Sequence, residues 1–103
     1  GVKREKFVEA VCREGVPISI GYPVPLYQNP LFREKGIGPE YCPVSCPYYG
    51  KEVNYSEVYC PNTEKLCQQA VWIAHPVLLA EKEDMQDIVS AIEKVWENRE
   101  EIK

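Results

Sequence analysis

Hydrophobic residues near the start of the chain recur at the spacing of one helix face. From Lys3 to Glu14, apolar and polar side chains separate onto opposite sides, which predicts an amphipathic helix of about three turns. Gly15 follows the last helical position, and Pro17 comes two residues later. Glycine enters the left-handed region freely and proline cannot continue a helix, so this pair predicts where the helix ends.

A period of two residues then replaces the helical period. Val16, Ile18 and Ile20 alternate with proline, serine and glycine, the pattern of a half-buried strand. A second short apolar run covers residues 71–74 and ends at His75. We expect the runs at 16–20 and 71–75 to pair in one small antiparallel sheet, with an excursion of roughly 50 residues between them.

Helical spacing returns twice in the second half of the chain. Asn62 is a candidate N-cap for a short helix from Thr63 to Ala70. A longer apolar stripe predicts a final helix from Glu83 to Ile102, with acidic residues at its start and basic residues at its end, as the helix dipole favours. Trp72 and Trp96 are expected in the core.

The excursion between the strands is rich in proline, tyrosine and cysteine. Seven of the nine prolines fall within residues 17–47, and all seven tyrosines within residues 22–59, so long regular elements are not expected there. Its apolar residues are numerous enough to order it on a surface, and Gly36, Gly38 and Gly50 indicate turns. The sequence therefore predicts an α+β fold, a small antiparallel sheet flanked by helices with a long ordered excursion.

Length and charge narrow the class of protein. The chain has 103 residues, a net charge of −4 and an isoelectric point near 5.0, which predict one domain over residues 1–103 and argue against nucleic-acid binding. It contains no apolar run long enough for a membrane span or a signal peptide, so a cytoplasmic location is expected. The sole methionine is Met85, which suggests a fragment of a longer protein.

Five cysteines and one histidine are the first candidates for chemistry. Cys42 and Cys46 have a spacing seen at zinc sites, but Cys60 and Cys67 are too far apart and the cysteine count is odd. Buried thiols are therefore favoured over a zinc-stapled domain or disulfides. His75 is interpreted as structural because no acidic partner or nucleophile lies near it in sequence. The sequence assigns no catalytic residue and no metal ligand.

The segment around Tyr22 and Tyr27 is the strongest candidate for a functional surface. Pro23 and Pro25 restrict their own backbone and that of the preceding residues, so this segment is expected to be extended and stiff. A stiff segment could hold two tyrosines in one wall of a pocket, or could only turn the chain. Exposed tyrosines would also suit a stand-alone protein-interaction module, which is the alternative function.

Three stretches together resemble a known enzyme family. They are SIGYPVPLYQNPLF from Ser19, CPVSCPYYG to YCPNTEKLCQQAVWIAHPVLLA from Cys42 to Ala80, and EDMQDIVSAIEKV from Glu83. They are similar to the C-terminal part of DegT/StrS-type pyridoxal-phosphate aminotransferases, near the branch that contains aminohydroxybenzoate synthase and the inosose aminotransferases. The resemblance implies the C-terminal small domain of a fold-type I aminotransferase.

The resemblance also implies what the whole protein does and what this chain contributes. A lysine-bound pyridoxal phosphate would take an amino group from glutamate or glutamine and pass it to a keto-sugar or cyclic ketone. The lysine and the cofactor site would lie in an N-terminal domain of the same protein, in a homodimer, so this chain alone would bind no cofactor and would not catalyse. By resemblance, Tyr22, Pro23 and Tyr27 would face the substrate.

The sequence departs from the family at two positions of this segment. The common form reads Val-His-Tyr-Pro-Val-Pro-Leu-His, whereas this chain has Gly21 and Tyr27 in place of the two histidines. Because both imidazoles are replaced, the resemblance does not identify the keto substrate.

Overall fold

Contacts divide the chain into two compact units. The computed structural model describes residues 1–34, 38 and 46–103. Unit 1 combines Gly1–Gly21 with Gln69–Lys103, and unit 2 is Tyr22–Gln68. Two units follow from the contacts, while the assignment of residues 1–103 to one domain stays a prediction.

Unit 1 contains both strands and the two longest helices. Helix α1 spans Arg4–Arg13, strand β1 Ile18–Ile20, strand β2 Val71–Ile73 and helix α4 Lys82–Glu97, with short 3₁₀ helices at His75–Leu79 and Arg99–Ile102. Unit 2 contains the short helix α2 at Pro30–Arg33, most of helix α3 at Pro61–Gln69, and 3₁₀ helices at Leu26–Gln28 and Tyr55–Glu57. An α+β architecture is therefore confirmed.

Helix α1 ends where the sequence predicts. Gly15 has a φ of 95°, in the left-handed region that favours glycine. Its amide donates to the carbonyl of Cys12 at 3.0 Å and satisfies one of the last helical acceptors. The chain thereby turns directly into β1.

The two strands pair as an antiparallel ribbon. Ile18 lies opposite Ile73, Ser19 opposite Trp72 and Ile20 opposite Val71. Residues directly opposite share a face, so the isoleucine pair points towards the helices and the Ser19–Trp72 pair points away. The predicted antiparallel sheet is confirmed, but each strand is shorter than the sequence pattern suggests.

A small core holds unit 1 together. Val11, Val16, Ile18 and Val95 are buried against one another, with Val11 at 0% exposure. Partly buried apolar residues surround them: Phe7, Val8, Ala10, Ile73, Ile88, Ala91, Ile92 and Ile102. The core thus lies between α1, β1 and α4.

Several predictions at the ends of elements are wrong. Helix α4 stops at Glu97 because Asn98 adopts φ −94° and ψ 18°, with its side-chain amide bonded to the carbonyl of Lys94 at 2.8 Å. The last residues continue as a 3₁₀ turn rather than as the predicted helix to Ile102. Helix α3 begins at Pro61, so Asn62 lies inside it and is not its N-cap.

The predicted burial of both tryptophans is also wrong. Trp96 is 57% exposed and Trp72 is 47% exposed. Trp72 lies on the outer face of the two-stranded sheet, which explains its exposure. Ile20 is 42% exposed, so only Val16 and Ile18 of the predicted strand face reach the core.

Short helices are found in the described part of the excursion. Asn29 caps α2, because its Oδ1 accepts from the amide of Leu31 at 3.0 Å and Pro30 occupies the first helical position. Gly38 and Gly50 have positive φ values of 64° and 70°, as expected for turns. Gly36 and Cys42 lie outside the described residues. No helix in the described part of the chain is both long and apolar enough to cross a bilayer.

Candidate functional site

The segment from Tyr22 to Tyr27, here called the Tyr-Pro segment, lies at the start of unit 2. Tyr22 is 63% exposed and Pro23 is exposed, whereas Tyr27 is only partly exposed. Pro25, with φ −59° and ψ 148°, leads the extended chain into the 3₁₀ helix Leu26–Gln28 that carries Tyr27. The predicted stiffness of this segment therefore has a local basis in the two prolines and the turn.

A hydrogen-bond network fixes the side chain of Tyr27. Its hydroxyl donates to Oε1 of Glu64 at 2.5 Å and accepts from the backbone amide of Cys60 at 3.3 Å. The side-chain amide of Gln28 donates to the same Glu64 oxygen at 3.2 Å. All four residues belong to unit 2. The hydroxyl is thus engaged both as donor and as acceptor.

Helix α3 supplies the acceptor of this network. Glu64 lies in the first turn of α3 and is partly buried. It is 37 residues away from Tyr27, so sequence spacing gave no reason to pair them. The sequence signal that could have drawn attention to Glu64 was a carboxylate near a helix N-terminus. The helix dipole alone would explain that placement, so it did not indicate a contact with Tyr27.

This network also changes the acidity of Tyr27. The hydrogen bond to the Glu64 carboxylate is the main cause that raises the pKa of the Tyr27 phenol, and partial desolvation acts in the same direction. The amide of Cys60 opposes the shift because it stabilises the phenolate. Tyr27 is therefore held as a neutral phenol.

Gly21 lies immediately before this segment, in unit 1, and its backbone is tightly packed. A Cβ atom there would lie 2.9 Å from Nε1 of Trp72 and 3.2 Å from Cβ of Ala70. The Gly21 amide also donates to the carbonyl of Ala70 at 3.0 Å. Any side chain at this position, including the histidine that the resemblance would place there, would have to displace the Trp72 indole.

Three curated proteins similar to this chain share one provisional name. That name is L-glutamine:3-amino-2,3-dideoxy-scyllo-inosose aminotransferase. The relative from Micromonospora echinospora is 34% identical over 101 residues, which cover 95% of this chain and 23% of the relative. Those from Streptoalloteichus tenebrarius and Streptomyces kanamyceticus are 29% and 26% identical, over 95% and 99% of this chain.

This chain is similar to part of an aminotransferase. It spans about a quarter of the length of these curated relatives, 23–24% in each case. The chain matches no protein-family model and no solved structure. The similarity nevertheless runs through both units, since it covers nearly every residue.

The described residues do not fit the cofactor that the family resemblance implies. A lysine that forms a Schiff base is activated by desolvation or by a neighbouring cation, yet every lysine in the described ranges is exposed. Lys94 and Lys103 are instead paired with Glu14 and Glu100. The described part of the chain therefore offers no desolvated lysine for this cofactor.

None of the predicted site residues lines a cleft of about 590 Å³ in unit 1. Residues of α1, of α4 and of the turn after α4 line it. Four of its charged side chains form ion pairs, with Arg13 2.6 Å from Glu9 and Lys94 2.6 Å from Glu14. Because no predicted site residue lies in this cleft, the Tyr-Pro segment remains the candidate site.

The remaining candidates show no constellation for chemistry. Within residues 1–34, 38 and 46–103, no group of three or more His, Cys, Asp or Glu side chains could hold a metal. Cys46 and Cys67 are buried as expected, but Cys12 and Cys60 are exposed, so the expectation of buried thiols is wrong for those two. The zinc hypothesis involves Cys42, which lies outside the described residues. His75 is exposed at the start of a 3₁₀ helix.

Proposed function

We propose that this chain is the C-terminal small domain of a DegT/StrS-type, pyridoxal-phosphate-dependent aminotransferase with a type I fold. The whole protein would transfer an amino group from glutamine or glutamate to a keto-sugar or cyclic ketone. The observation that carries this proposal is the similarity to named aminotransferases over 95% or more of the chain. Their names specify L-glutamine and an inosose, which supports a cyclic keto substrate.

In this proposal the chain shapes the substrate side of the active site. Tyr22, Pro23 and Tyr27 would line the substrate, while residues outside this chain would hold the cofactor, which supplies the chemistry of amino transfer. The stiff proline segment and the anchored Tyr27 support this role, since a preorganised wall orients a ligand at little entropic cost. A cytoplasmic homodimer is the assembly that we propose.

The alternative of a stand-alone interaction module is not favoured. If the chain were an interaction module, only its Tyr-Pro segment would need to be similar to other interaction modules. Here the similarity extends over 101 residues to an aminotransferase, including both strands and α4. The Tyr-Pro segment is therefore better explained as one part of a larger enzyme.

The assay that tests the proposal uses the full-length natural protein with added pyridoxal phosphate. Keto-cyclitols and keto-sugars are each incubated with L-glutamine or L-glutamate, and the amino product is measured by mass spectrometry. We expect an amino product from at least one cyclic ketone, and none when the amino donor is omitted. Absence of amino product across the whole panel with either donor would contradict the proposed function.

A further inference from the structure

We propose that Glu64 is a positioning residue that holds Tyr27 so that its ring, and not its hydroxyl, faces the keto substrate. This inference rests on the proposed function and adds a residue that the sequence did not single out. It assigns to α3, within the cysteine- and proline-rich excursion, a role in substrate recognition.

The phenol of Tyr27 has a limited capacity for hydrogen bonds. A phenol has one hydrogen to donate, and Tyr27 donates it to Glu64 at 2.5 Å. Its oxygen already accepts from the amide of Cys60. A substrate carbonyl would have to displace Glu64 in order to accept from this phenol, and a substrate hydroxyl would compete with the Cys60 amide as donor to its oxygen. The part of Tyr27 that is left for a ligand is its partly exposed aromatic ring, which suits the C–H surface of a cyclitol or sugar ring.

The position of Glu64 allows one carboxylate to hold two residues. One oxygen of Glu64 accepts from both Tyr27 and Gln28, two neighbouring residues of one 3₁₀ helix. Hydrogen bonds to a carboxylate are stronger than those between neutral groups. The carboxylate therefore fixes both the ring orientation and the turn that carries it.

Variants of the full-length enzyme separate this role from the alternatives. Glu64→Ala and Tyr27→Phe each remove the contact, and we expect each to raise the KM for the keto substrate about tenfold, the size of one charge-assisted hydrogen bond. kcat should stay within about twofold, and the cofactor Kd should not change. The double variant should raise KM by much less than the product of the two single effects, because both changes remove the hydrogen bond between Tyr27 and Glu64.

Two matched substitutions serve as controls. Glu64→Gln keeps an oxygen that can accept from Tyr27, so its KM should stay within about threefold of the natural enzyme. Glu57→Gln makes the same charge change in unit 2 at an exposed residue that accepts a hydrogen bond from nearby Asn54, and it should have no effect. Recovery in Glu64→Gln with loss in Glu64→Ala would support positioning by a hydrogen-bond acceptor at residue 64.

A second measurement follows the contact itself. In protein labelled with ¹³C-tyrosine, the Tyr27 phenol should titrate above the ordinary tyrosine pKa, and Glu64→Gln should return the pKa towards the ordinary value. This readout needs no activity and remains available if Glu64→Ala does not fold. An unchanged phenol pKa in Glu64→Gln would overturn the contact.

The kinetic outcomes distinguish the inference from the proposed function. If the natural enzyme transaminates a cyclic ketone and Glu64→Ala leaves KM unchanged, the inference is wrong and the function stands. Additive effects of Tyr27→Phe and Glu64→Ala would assign the hydroxyl to the substrate and also overturn the inference. If the natural enzyme transaminates no member of the panel, both proposals fail.

Discussion

At the residue scale, close packing explains why glycine suits position 21. The space that a side chain would need is filled by Trp72 Nε1 and by Ala70. Glycine is favoured there because of close packing and not because of an unusual backbone angle. Position 21 is thus coupled to Trp72, a residue distant in sequence.

We predict that Gly21→Ala destabilises the protein by about 1 to 2 kcal/mol. Overpacking against Trp72 and Ala70 outweighs the smaller gain from a less flexible unfolded chain. Chemical denaturation measures the change, and Gly21→Ala should cost less in a Trp72→Ala background than in the natural protein, because the nearest clash is absent there. A stabilised Gly21→Ala protein would show that the indole moves aside without cost.

The sequence predicted residue roles that depend on neighbouring residues, but not contacts between residues that are far apart in the chain. Gly15 was predictable because helix termination depends on neighbouring residues. Glu64 was not, because its contact with Tyr27 forms only when α3 packs on the tyrosine segment. For the same reason, Tyr27 could be named as a candidate while the partners of its hydroxyl could not.

At the scale of elements, the apolar periodicity predicted which helices and strands exist better than it predicted where each of them ends. The helical stripe predicted α1 and α4, alternation predicted β1, and a short apolar run predicted its antiparallel partner β2. The stop of α4 at Asn98 depends on one side-chain bond to Lys94, which no apolar pattern encodes. Trp96 was misjudged because it follows the helical apolar spacing but lies at the end of α4, where it is exposed.

Packing of α1 against α4 gives a prediction at this scale. Val11→Ala should cost about 2 kcal/mol, because Val11 is fully buried between α1, β1 and α4. Val89→Ala is the matched control, since Val89 lies on α4 but is 47% exposed, and it should change stability by less than about 0.5 kcal/mol. Denaturant midpoints of both variants provide the comparison. Equal losses would contradict a core centred on Val11.

At the scale of the whole molecule, we propose that the chain contributes shape to a site whose reactive groups lie elsewhere. The lysines of the described part are exposed, and two ion pairs lie in the unit 1 cleft. What the chain offers is a stiff tyrosine segment with one ring anchored through Glu64. This division fits a domain that completes a substrate pocket of a larger aminotransferase.

The central claim is that Tyr27 contacts the keto substrate, and ligand binding to the full-length Tyr27→Ala enzyme tests it most directly. The affinities for the keto substrate and for pyridoxal phosphate are measured separately by calorimetry. We predict that substrate binding weakens about tenfold or more while cofactor binding is unchanged, because only the substrate would touch this ring. Equal weakening of both, or unchanged substrate binding, would contradict the account.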